Sequence, residues 1–349
     1  MKTEIAYEID SPTGKFAKTT IERREVGPTE VYFEIKYAGI CHSDIHTARN
    51  EWKGTSYPCT PGHEIAGIVT EIGSQVTKFK VGDRVGVGCL VDSCGKCENC
   101  RAGTEQFCSG PGGTIWTYNS MGRDGKITRG GYSTGITVEQ DFVCHIPDAI
   151  TLAQAAPIMC AGITTYAPLK RWGAGPGKEV AVVGLGGLGH MGVQIAAALG
   201  ATTHVISRTR SKEADARRFG AVKLHPTSED GVWESLEGKF DLVLSTLSDG
   251  VELDQLVKCL KLGGVLVIVG LPEHPTQTHL SLIVGRQRIV TGSQIGGIGQ
   301  TQEVLDFCAE KGIAPQIEII GGADIDEAYD KVVNSQVRYR YVIDTATFK

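Results

Sequence analysis

The spacing of apolar residues divides the chain into two parts with different periodicity. In residues 1 to about 150, short apolar runs are separated by turn residues, and apolar and polar positions alternate over Val31–Tyr37 and Ile65–Ile72. A further short apolar run covers Arg84–Val87. Alternation with a period of two is typical of half-buried β-strands. The first part is therefore predicted to be rich in β-structure.

The periodicity changes after residue 150. An alanine-rich, helix-competent stretch covers residues 154–171, and apolar strands then alternate with amphipathic helices. This alternation is typical of a doubly wound parallel α/β sheet. One helix is predicted to end at Gly263–Gly264, and another to cover Thr301–Lys311. The predicted strands are Glu179–Val183, Thr203–Ser207, Phe240–Ser245, Val265–Val269 and Ile289–Gly292.

Composition agrees with a two-domain globular chain. The 349 residues are 41% hydrophobic and 21% charged, and the formal net charge is −5. This charge gives no general attraction to nucleic acid or to an anionic membrane, and no apolar run approaches the roughly 20 residues that span a bilayer. The N-terminal residues have neither a secretory nor a transit pattern, so we expect a cytoplasmic protein with reduced thiols.

Four of the eleven cysteines have the spacing of a metal site. Cys94, Cys97 and Cys100 are separated by two residues each, and Cys108 follows. Four thiolates can close a tetrahedral shell around Zn²⁺ and leave no open position, which indicates a structural zinc. Disulfides and an iron–sulfur cluster are the alternatives, and reduced thiols favour zinc.

A glycine-rich turn separates the first predicted strand of the second part from its helix. A G-x-G-x-x-G turn in this position is the fingerprint of a dinucleotide site, because its glycines permit a tight turn, a close approach of pyrophosphate and close packing of helix on strand. A turn that is merely rich in glycine is the alternative. The residues of the turn are Gly184, Leu185, Gly186, Gly187, Leu188 and Gly189.

The end of the next strand indicates which dinucleotide is bound. An NAD site usually has an acidic residue there, but in this chain no acidic residue occurs between Ser207 and Glu213. A hydroxyl and cations occupy the position instead, and we assign Ser207, Arg208 and Lys212 to the 2′-phosphate of NADP(H). A solvated basic loop is the alternative.

A second set of metal-ligand residues is spread over three segments. Cys41, His63 and Cys160 offer two thiolates and one imidazole, the donor set of a catalytic zinc with an open fourth position. Sequence spacing does not show that the segments converge, and a buried core cysteine is the alternative for Cys160.

The chain resembles, nearly from end to end, the zinc-dependent medium-chain dehydrogenase/reductases, and most closely their cinnamyl alcohol dehydrogenase-like branch. The resemblance implies a GroES-like zinc domain and a Rossmann domain, with Cys41, His63 and Cys160 binding the catalytic zinc and Glu64 as an exchanging ligand. The motifs that carry it are Gly39-Ile-Cys-His-Ser-Asp44, Pro61-Gly-His-Glu-Ile-Ala-Gly67, the four-cysteine segment, Cys160-Ala-Gly-Ile-Thr-Thr-Tyr166 and Gly184-Leu-Gly-Gly-Leu-Gly-His-Met-Gly192.

Further roles follow from this resemblance. Ser43 is expected to bond the substrate oxygen and His46 to pass the proton to solvent, with a surface histidine as the alternative for His46. Asp44 is expected to orient His63, as metal-bound histidines usually require. The positions expected along the cofactor are Thr164, Thr246, Val269 and Ser293. Those expected in an apolar substrate pocket are Trp52, Trp116 and Ile295, with a packing role as the alternative for each tryptophan.

Some of the chain is less well assigned by the resemblance. The glycine-rich stretch Gly110–Arg129 departs from the nearest family patterns. The remaining cysteines are interpreted as structural or incidental thiols: Cys59, Cys89, Cys144, Cys259 and Cys308.

The sequence thus predicts residues 1–153 and 297–349 as the zinc domain and residues 154–296 as the cofactor domain. We expect an enzyme with two zinc ions per chain that prefers NADP(H) and acts on medium-chain or aromatic primary alcohols and aldehydes. It is expected to form a homodimer through the region Ser281–Gly292. An NAD-dependent short-chain alcohol or polyol dehydrogenase and a non-catalytic NADP(H)-binding protein are the alternatives.

Overall fold

The computed structural model describes residues 1–271 and 274–349. By the contacts within each, the chain divides into two compact units, one of Met1–Cys160 with Gly296–Lys349 and one of Ala161–Ile295.

The strands, in chain order, are β1 Lys2–Glu8, β2 Ala17–Arg23, β3 Glu30–Gly39, β4 Ile65–Ile72, β5 Arg84–Val87, β6 Leu90–Asp92, β7 Ile115–Trp116, β8 Gly135–Glu139, β9 Cys144–His145, β10 Glu179–Val183, β11 Thr202–Ser207, β12 Lys223–Pro226, β13 Phe240–Ser245, β14 Leu260–Ile268, β15 Ile289–Gly292, β16 Ile317–Ile320 and β17 Arg340–Asp344. The α-helices are α1 His42–Ala48, α2 Glu98–Arg101, α3 Leu152–Pro157, α4 Ile163–Arg171, α5 Gly189–Ala198, α6 Glu213–Arg218, α7 Val232–Ser235, α8 Leu253–Lys258, α9 Leu280–Val284, α10 Ile298–Lys311 and α11 Ile325–Val333.

The first unit is built on a mostly antiparallel sheet of order β16-β17-β3-β4-β5-β9, with β8 also paired to β3. Its central strand, β3, alternates buried and partly exposed residues, as its sequence pattern predicts. One core cluster joins the two ends of the chain, because residues of β1 pack with residues of α11 and β17. The last 54 residues therefore complete the unit that the first 160 begin.

The second unit is a parallel sheet of order β12-β11-β10-β13-β14-β15. Numbered from β10, this is the order 3-2-1-4-5-6 of a doubly wound dinucleotide-binding sheet. Its central strands are almost continuously apolar, since both faces of a parallel sheet are covered. The carboxyl end of β10 leads directly into the glycine-rich turn, which is where such sheets bind ligands.

Most predicted elements are confirmed, with one clear error. The prediction that Gly263–Gly264 end a helix is wrong: α8 ends at Lys258, and the two glycines lie within β14. The pairing register of β14 with β13 shifts near these glycines, and Gly263 has a φ of +69°. A glycine in this conformation serves an irregularity of the strand as readily as a helix end, so sequence alone does not separate the two.

The predicted helix over residues 154–171 is interrupted. Between α3 and α4, residues Ile158–Gly162 form a turn of π-helix. A π turn inserts an extra residue into the helical repeat and often marks a functional site. Cys160, a predicted metal ligand, lies in its middle.

None of the described helices is both long enough and apolar enough to cross a bilayer.

Candidate functional site

The four cysteines of the Cys94–Cys108 segment converge in the first unit. Their sulfur atoms all lie within 4.8 Å of one another. The Sγ of Cys100 is 3.9 Å from that of Cys94 and 3.4 Å from that of Cys97. A tetrahedral zinc with Zn–S bonds of about 2.3 Å requires sulfur separations of about 3.8 Å, so the donor set fits this ion.

Backbone N–H groups stabilise thiolates at this cluster. Cys97 is the N-cap of α2, and its sulfur accepts a hydrogen bond from the N–H of Cys100. Backbone hydrogen bonds, that of Cys100 first, lower the pKa of Cys97 to about 5. Metal-binding cysteines must be deprotonated, and this short helix therefore prepares one of the four ligands.

The second candidate centre is buried and assembled from three segments. Cys41 precedes α1, His63 and Glu64 precede β4, and Cys160 lies in the π turn. One ligand atom from each of these four residues lies within 4.8 Å of the others. The Sγ of Cys160 is 3.9 Å from that of Cys41 and 3.3 Å from Nε2 of His63. Two thiolates and an imidazole at these separations also fit tetrahedral zinc.

The Glu64 carboxylate is the fourth group of this centre. It is fully buried, and neither oxygen accepts a hydrogen bond from the described residues. Nη1 of Arg340, from β17, nevertheless lies 3.0 Å from Oε1 and forms an ion pair with it. Burial raises the pKa of Glu64 to about 8 against the opposing effect of Arg340. A buried carboxylate without hydrogen bonds suits a ligand that exchanges on and off a metal.

Asp44 joins two of the ligand segments. Its Oδ1 lies 2.9 Å from Nδ1 of His63, and its Oδ2 accepts the N–H of Cys41 at 2.9 Å. The contact at Nδ1 leaves Nε2 of His63 directed toward the sulfurs. Burial is the largest single effect and disfavours a charged imidazole, but the Asp44 carboxylate together with Cys89 and Cys41 raises the pKa of His63 well above its usual range. Metal binding must therefore displace a proton from this ring.

Arg340 and three tyrosines near this centre were missed by the sequence analysis. Tyr118, from the glycine-rich stretch Gly110–Arg129, stacks on the His63 ring with 5.8 Å between centroids. Tyr132 donates to Asp44, and Tyr329 of α11 donates to Tyr132. None belongs to a recognisable motif, and only the placement of Tyr118 in an unassigned stretch was a signal.

The predicted proton-transfer residues lie on α1. The hydroxyl of Ser43 is 3.8 Å from Sγ of Cys41. His46, partly buried one turn further on, contacts the Glu51 carboxylate through Nδ1. Trp52, whose surface is 43% exposed, stacks on the His46 ring at 4.8 Å. The chain thus fixes one ring face and one nitrogen of His46.

The glycine-rich turn has the shape that its sequence predicts. Gly184 has a φ of +87°, and a Cβ on Gly189 would stand 1.9 Å from the carbonyl oxygen of Gly184. The helix α5 can therefore pack against the turn only with glycine at position 189. A Cβ on Gly186 would meet no atom within 4 Å, so there is open space on this side of the turn. These features fit a pyrophosphate at the helix N-terminus.

The candidate phosphate-binding residues follow β11. Ser207 ends the strand, and Arg208 is exposed beyond it. Nζ of Lys212 donates to the carbonyl oxygen of Leu185 at 2.8 Å, which attaches this loop to the glycine-rich turn. Arg210 is not among the residues assigned to the phosphate, and it donates two hydrogen bonds of 2.6 and 2.7 Å to the Glu229 carboxylate.

The remaining predicted positions are placed as follows. Thr164 is buried in α4. The hydroxyl of Thr246 donates to the carbonyl oxygen of Val183 at 2.8 Å, so it supports the glycine-rich turn. Val269 and Ser293 follow β14 and β15, and their N–H groups extend the sheet bonding. Ile295 has a φ of +40°, which is uncommon for a β-branched residue.

Two further residues that the sequence analysis names lie in the first unit. Trp116 is half-buried in β7, which pairs with β6. Cys89, interpreted as incidental, lies within hydrogen-bonding range of the Cys160 thiol. The other unassigned cysteines are buried: Cys59, Cys144, Cys259 and Cys308.

Comparison with known proteins agrees with this geometry. The family model for the alcohol dehydrogenase GroES-like domain matches residues 27–148, and that for zinc-binding dehydrogenase matches residues 187–310. The chain is 54% identical to NADP-dependent alcohol dehydrogenase C 1 of Mycolicibacterium smegmatis, over the full length of both.

Solved structures with the same fold cover nearly the whole chain. Cinnamyl alcohol dehydrogenase of Sorghum bicolor has a TM-score of 0.96 and 37% identity, with 100% of this chain and 99% of that chain covered. CAD from Helicobacter pylori, complexed with NADP(H), has a TM-score of 0.92 and 40% identity, with 99% and 98% covered. The chain therefore belongs to the zinc-dependent medium-chain dehydrogenases, in their cinnamyl alcohol dehydrogenase-like branch, and is an oxidoreductase.

Proposed function

We propose that this protein is a zinc alcohol dehydrogenase and aldehyde reductase that prefers NADP(H) and acts on medium-chain or aromatic primary alcohols and aldehydes. The observation that carries the proposal is the buried centre, in which Cys41, His63 and Cys160 provide three ligands and leave a fourth position. A centre with three protein ligands is the catalytic type, whereas the four-cysteine centre is closed and structural.

The metal ligands of the catalytic centre are Cys41, His63 and Cys160, with Glu64 as the exchanging fourth ligand. Bound there, zinc supplies Lewis acidity, which polarises a carbonyl or lowers the pKa of an alcohol. Arg340 keeps the Glu64 carboxylate within reach when it is not a ligand, because the two form an ion pair at 3.0 Å. Asp44 holds the His63 ring so that Nε2 faces the sulfurs.

Ser43 and His46 move the proton. The Ser43 hydroxyl, next to the Cys41 sulfur, is placed to bond the substrate oxygen. Because Nδ1 of His46 is engaged by Glu51, Nε2 is the nitrogen that exchanges a proton.

The second unit binds the cofactor through its glycine-rich turn and the loop after β11. Ser207, Arg208 and Lys212 bind the 2′-phosphate, while Arg210 is already paired with Glu229. The cofactor supplies the hydride-transfer chemistry. The names of relatives support NADP(H), since one is an NADP-dependent alcohol dehydrogenase and another was solved with NADP(H). Further cofactor contacts are assigned to Thr164, Thr246, Val269 and Ser293.

Aromatic side chains and the relatives support the substrate class. We assign Trp52 and Trp116 to the walls of the substrate site, and cinnamyl alcohol dehydrogenase is among the similar structures. Planar, apolar substrates gain from stacking on such rings.

We also propose a cytoplasmic homodimer joined through β15 and α9. Strand β15 is the edge of the parallel sheet. Apolar residues beside it are well exposed, among them Leu262 at 73%, Leu280 at 70% and Val284 at 76%. A second copy would cover this patch and pair the open edge. The functional domains are taken as residues 1–153 with 297–349 and residues 154–296.

Initial rates with NADPH and NADH, on aldehydes from acetaldehyde to benzaldehyde and cinnamaldehyde, test the proposal. We expect strong preference for NADPH and faster turnover of aromatic aldehydes. Arg208→Asp should raise the KM for NADPH far more than that for NADH, whereas Arg217→Asp, on the exposed face of α6, should change neither.

Two outcomes would contradict this assignment. Preference for NADH with short aldehydes would favour the NAD-dependent alternative. A single zinc per chain with no turnover would favour a non-catalytic NADP(H)-binding protein.

A further inference from the structure

The carboxylate of Asp44 has no access to water and depends on the protein for its hydrogen bonds. Its exposed fraction is 0%. Oδ1 contacts Nδ1 of His63 at 2.9 Å and accepts the N–H of Gly62 at 3.1 Å. Oδ2 accepts the N–H of Cys41 at 2.9 Å. A buried ionised group that loses a donor bears a desolvation cost, so each remaining donor matters.

A further donor to Asp44 comes from distant parts of the chain. The hydroxyl of Tyr132 donates to Oδ2 at 3.3 Å. The hydroxyl of Tyr329, on α11, donates in turn to the Tyr132 hydroxyl at 3.3 Å. Tyr132 is 0% and Tyr329 3% exposed. Because a hydroxyl that accepts a hydrogen bond becomes a better donor, Tyr329 strengthens the bond from Tyr132 to Asp44.

The hydroxyl chain ends at the imidazole of a metal ligand. Asp44 fixes the ring of His63 through Nδ1, and Nε2 of the same ring lies 3.3 Å from the Cys160 sulfur. Both oxygens of Asp44 are engaged, so the carboxylate plane is set by donors on each. A change at Tyr132 removes one of the two donors to Oδ2 and leaves only the N–H of Cys41 there, so the carboxylate, and with it the imidazole, is held less firmly.

We propose that Tyr132 and Tyr329 are positioning residues for the catalytic metal: their hydroxyl chain holds Asp44, which holds His63 in the tautomer and orientation that bind the ion. This inference rests on the proposed function, since it requires a metal at Cys41, His63 and Cys160. It assigns a role in metal retention to α11, a helix near the C-terminus that contributes no ligand.

The four-cysteine centre provides an internal reference for the test. In the wild-type protein with two zinc ions, transfer of each ion to a chromogenic chelator is followed with time. Tyr132→Phe should speed release from the buried centre about tenfold, the lower end of the range for groups that orient metal ligands. Release from the four-cysteine centre should not change. Tyr329→Phe should have a smaller effect, because its hydroxyl reaches Asp44 only through Tyr132.

The double variant separates a hydrogen-bonded chain from a general loss of packing. If the hydroxyls act in series, Tyr132→Phe with Tyr329→Phe should release zinc no faster than Tyr132→Phe alone. Tyr7→Phe is the matched control, because Tyr7 belongs to the same core cluster and packs on Phe348. It should behave as wild type.

Visible spectra of the protein with Co²⁺ in place of the buried zinc give a second measurement that does not depend on activity. Tyr132→Phe should shift or broaden the bands, since they report the ligand geometry. Release rates and spectra equal to those of wild type would overturn the inference. A wild-type protein that binds only one zinc would instead overturn the proposed function.

Discussion

The two metal centres of the first unit differ in how the chain builds them. Four ligands of one come from a segment of fifteen residues, Cys94–Cys108, and most are partly exposed. The ligands of the other come from separate segments, and the outermost two, Cys41 and Cys160, are 119 residues apart in the sequence. All of them are buried. The first centre can organise a local lobe by itself, whereas the second requires the folded unit.

This difference separates stability from activity. A closed centre in a local lobe contributes folding free energy to that lobe, because its ligands are not held together without the ion. An open centre held by packed strands and by Asp44 is positioned before the ion arrives. Substitutions at the two centres should therefore change different measurements.

Cys160→Ser should have the largest effect on catalysis. Loss of one of three ligands should lower kcat/KM by at least about 10³-fold, since metal polarisation supplies several kcal/mol of transition-state stabilisation. Zinc content should fall from two to one per chain while the unfolding transition changes little. Cys308→Ser, at a buried thiol of α10, is the control and should keep both ions and activity.

Cys94→Ser should reduce stability rather than catalysis. The free energy of unfolding should fall by several kcal/mol, because a structural zinc site contributes directly to folding. Denaturant unfolding and limited proteolysis within residues 94–113 measure this loss. If Cys94→Ser lost activity at unchanged stability, the division of roles between the two centres would be wrong.

Glu64→Gln should have an effect of intermediate size, on the stability of the buried centre. Above about pH 8, where Glu64 is ionised, it removes the charge that faces Arg340, and breaking a buried ion pair costs about 3 kcal/mol of stability. Glu71→Gln is the matched control, since Glu71 pairs with Lys2 at 2.6 Å at the surface, where an ion pair contributes roughly 0.5 kcal/mol. Denaturant unfolding of both variants compares the pairs, and equal losses would refute the distinction.

The smallest effect is expected where the four-cysteine lobe meets α10. Oε2 of Glu105 accepts the N–H of Ile298 at 3.1 Å and so caps this helix, whose N-cap is Gly297. Glu105→Gln should lower the free energy of unfolding by about 1 kcal/mol, the value of a charged group at a helix N-terminus. Glu310→Gln, exposed at the other end of the helix, should change it by less.

Local patterns predicted much of the fold. Strands β4, β5, β10, β13 and β15 have the predicted bounds, because alternation and apolar runs between turn residues determine where strands lie. The glycines at 263 and 264 were misread, since a glycine permits a helix end and a strand irregularity alike.

The supporting residues of the buried centre were beyond local patterns. Arg340 is 276 residues from Glu64, and Tyr329 is 285 residues from Asp44. Their proximity results from the pairing of β17 with β3 and the packing of α11, which no spacing rule contains. Ligand residues carry motifs, whereas a tyrosine that supports a carboxylate resembles any core tyrosine.

The π turn at Ile158–Gly162 has a consequence for protein engineering. The boundary between the two units falls inside it, after Cys160, and the chain returns at Gly296. A chimaera that exchanges residues 161–295 for the corresponding segment of a relative would therefore import a new cofactor unit without importing a metal ligand. Deleting one residue of the turn would instead restore an uninterrupted α-helix and so shift Cys160, in the middle of the turn, relative to Cys41 and His63. The turn thus tolerates a splice at its boundary but not a change in its length.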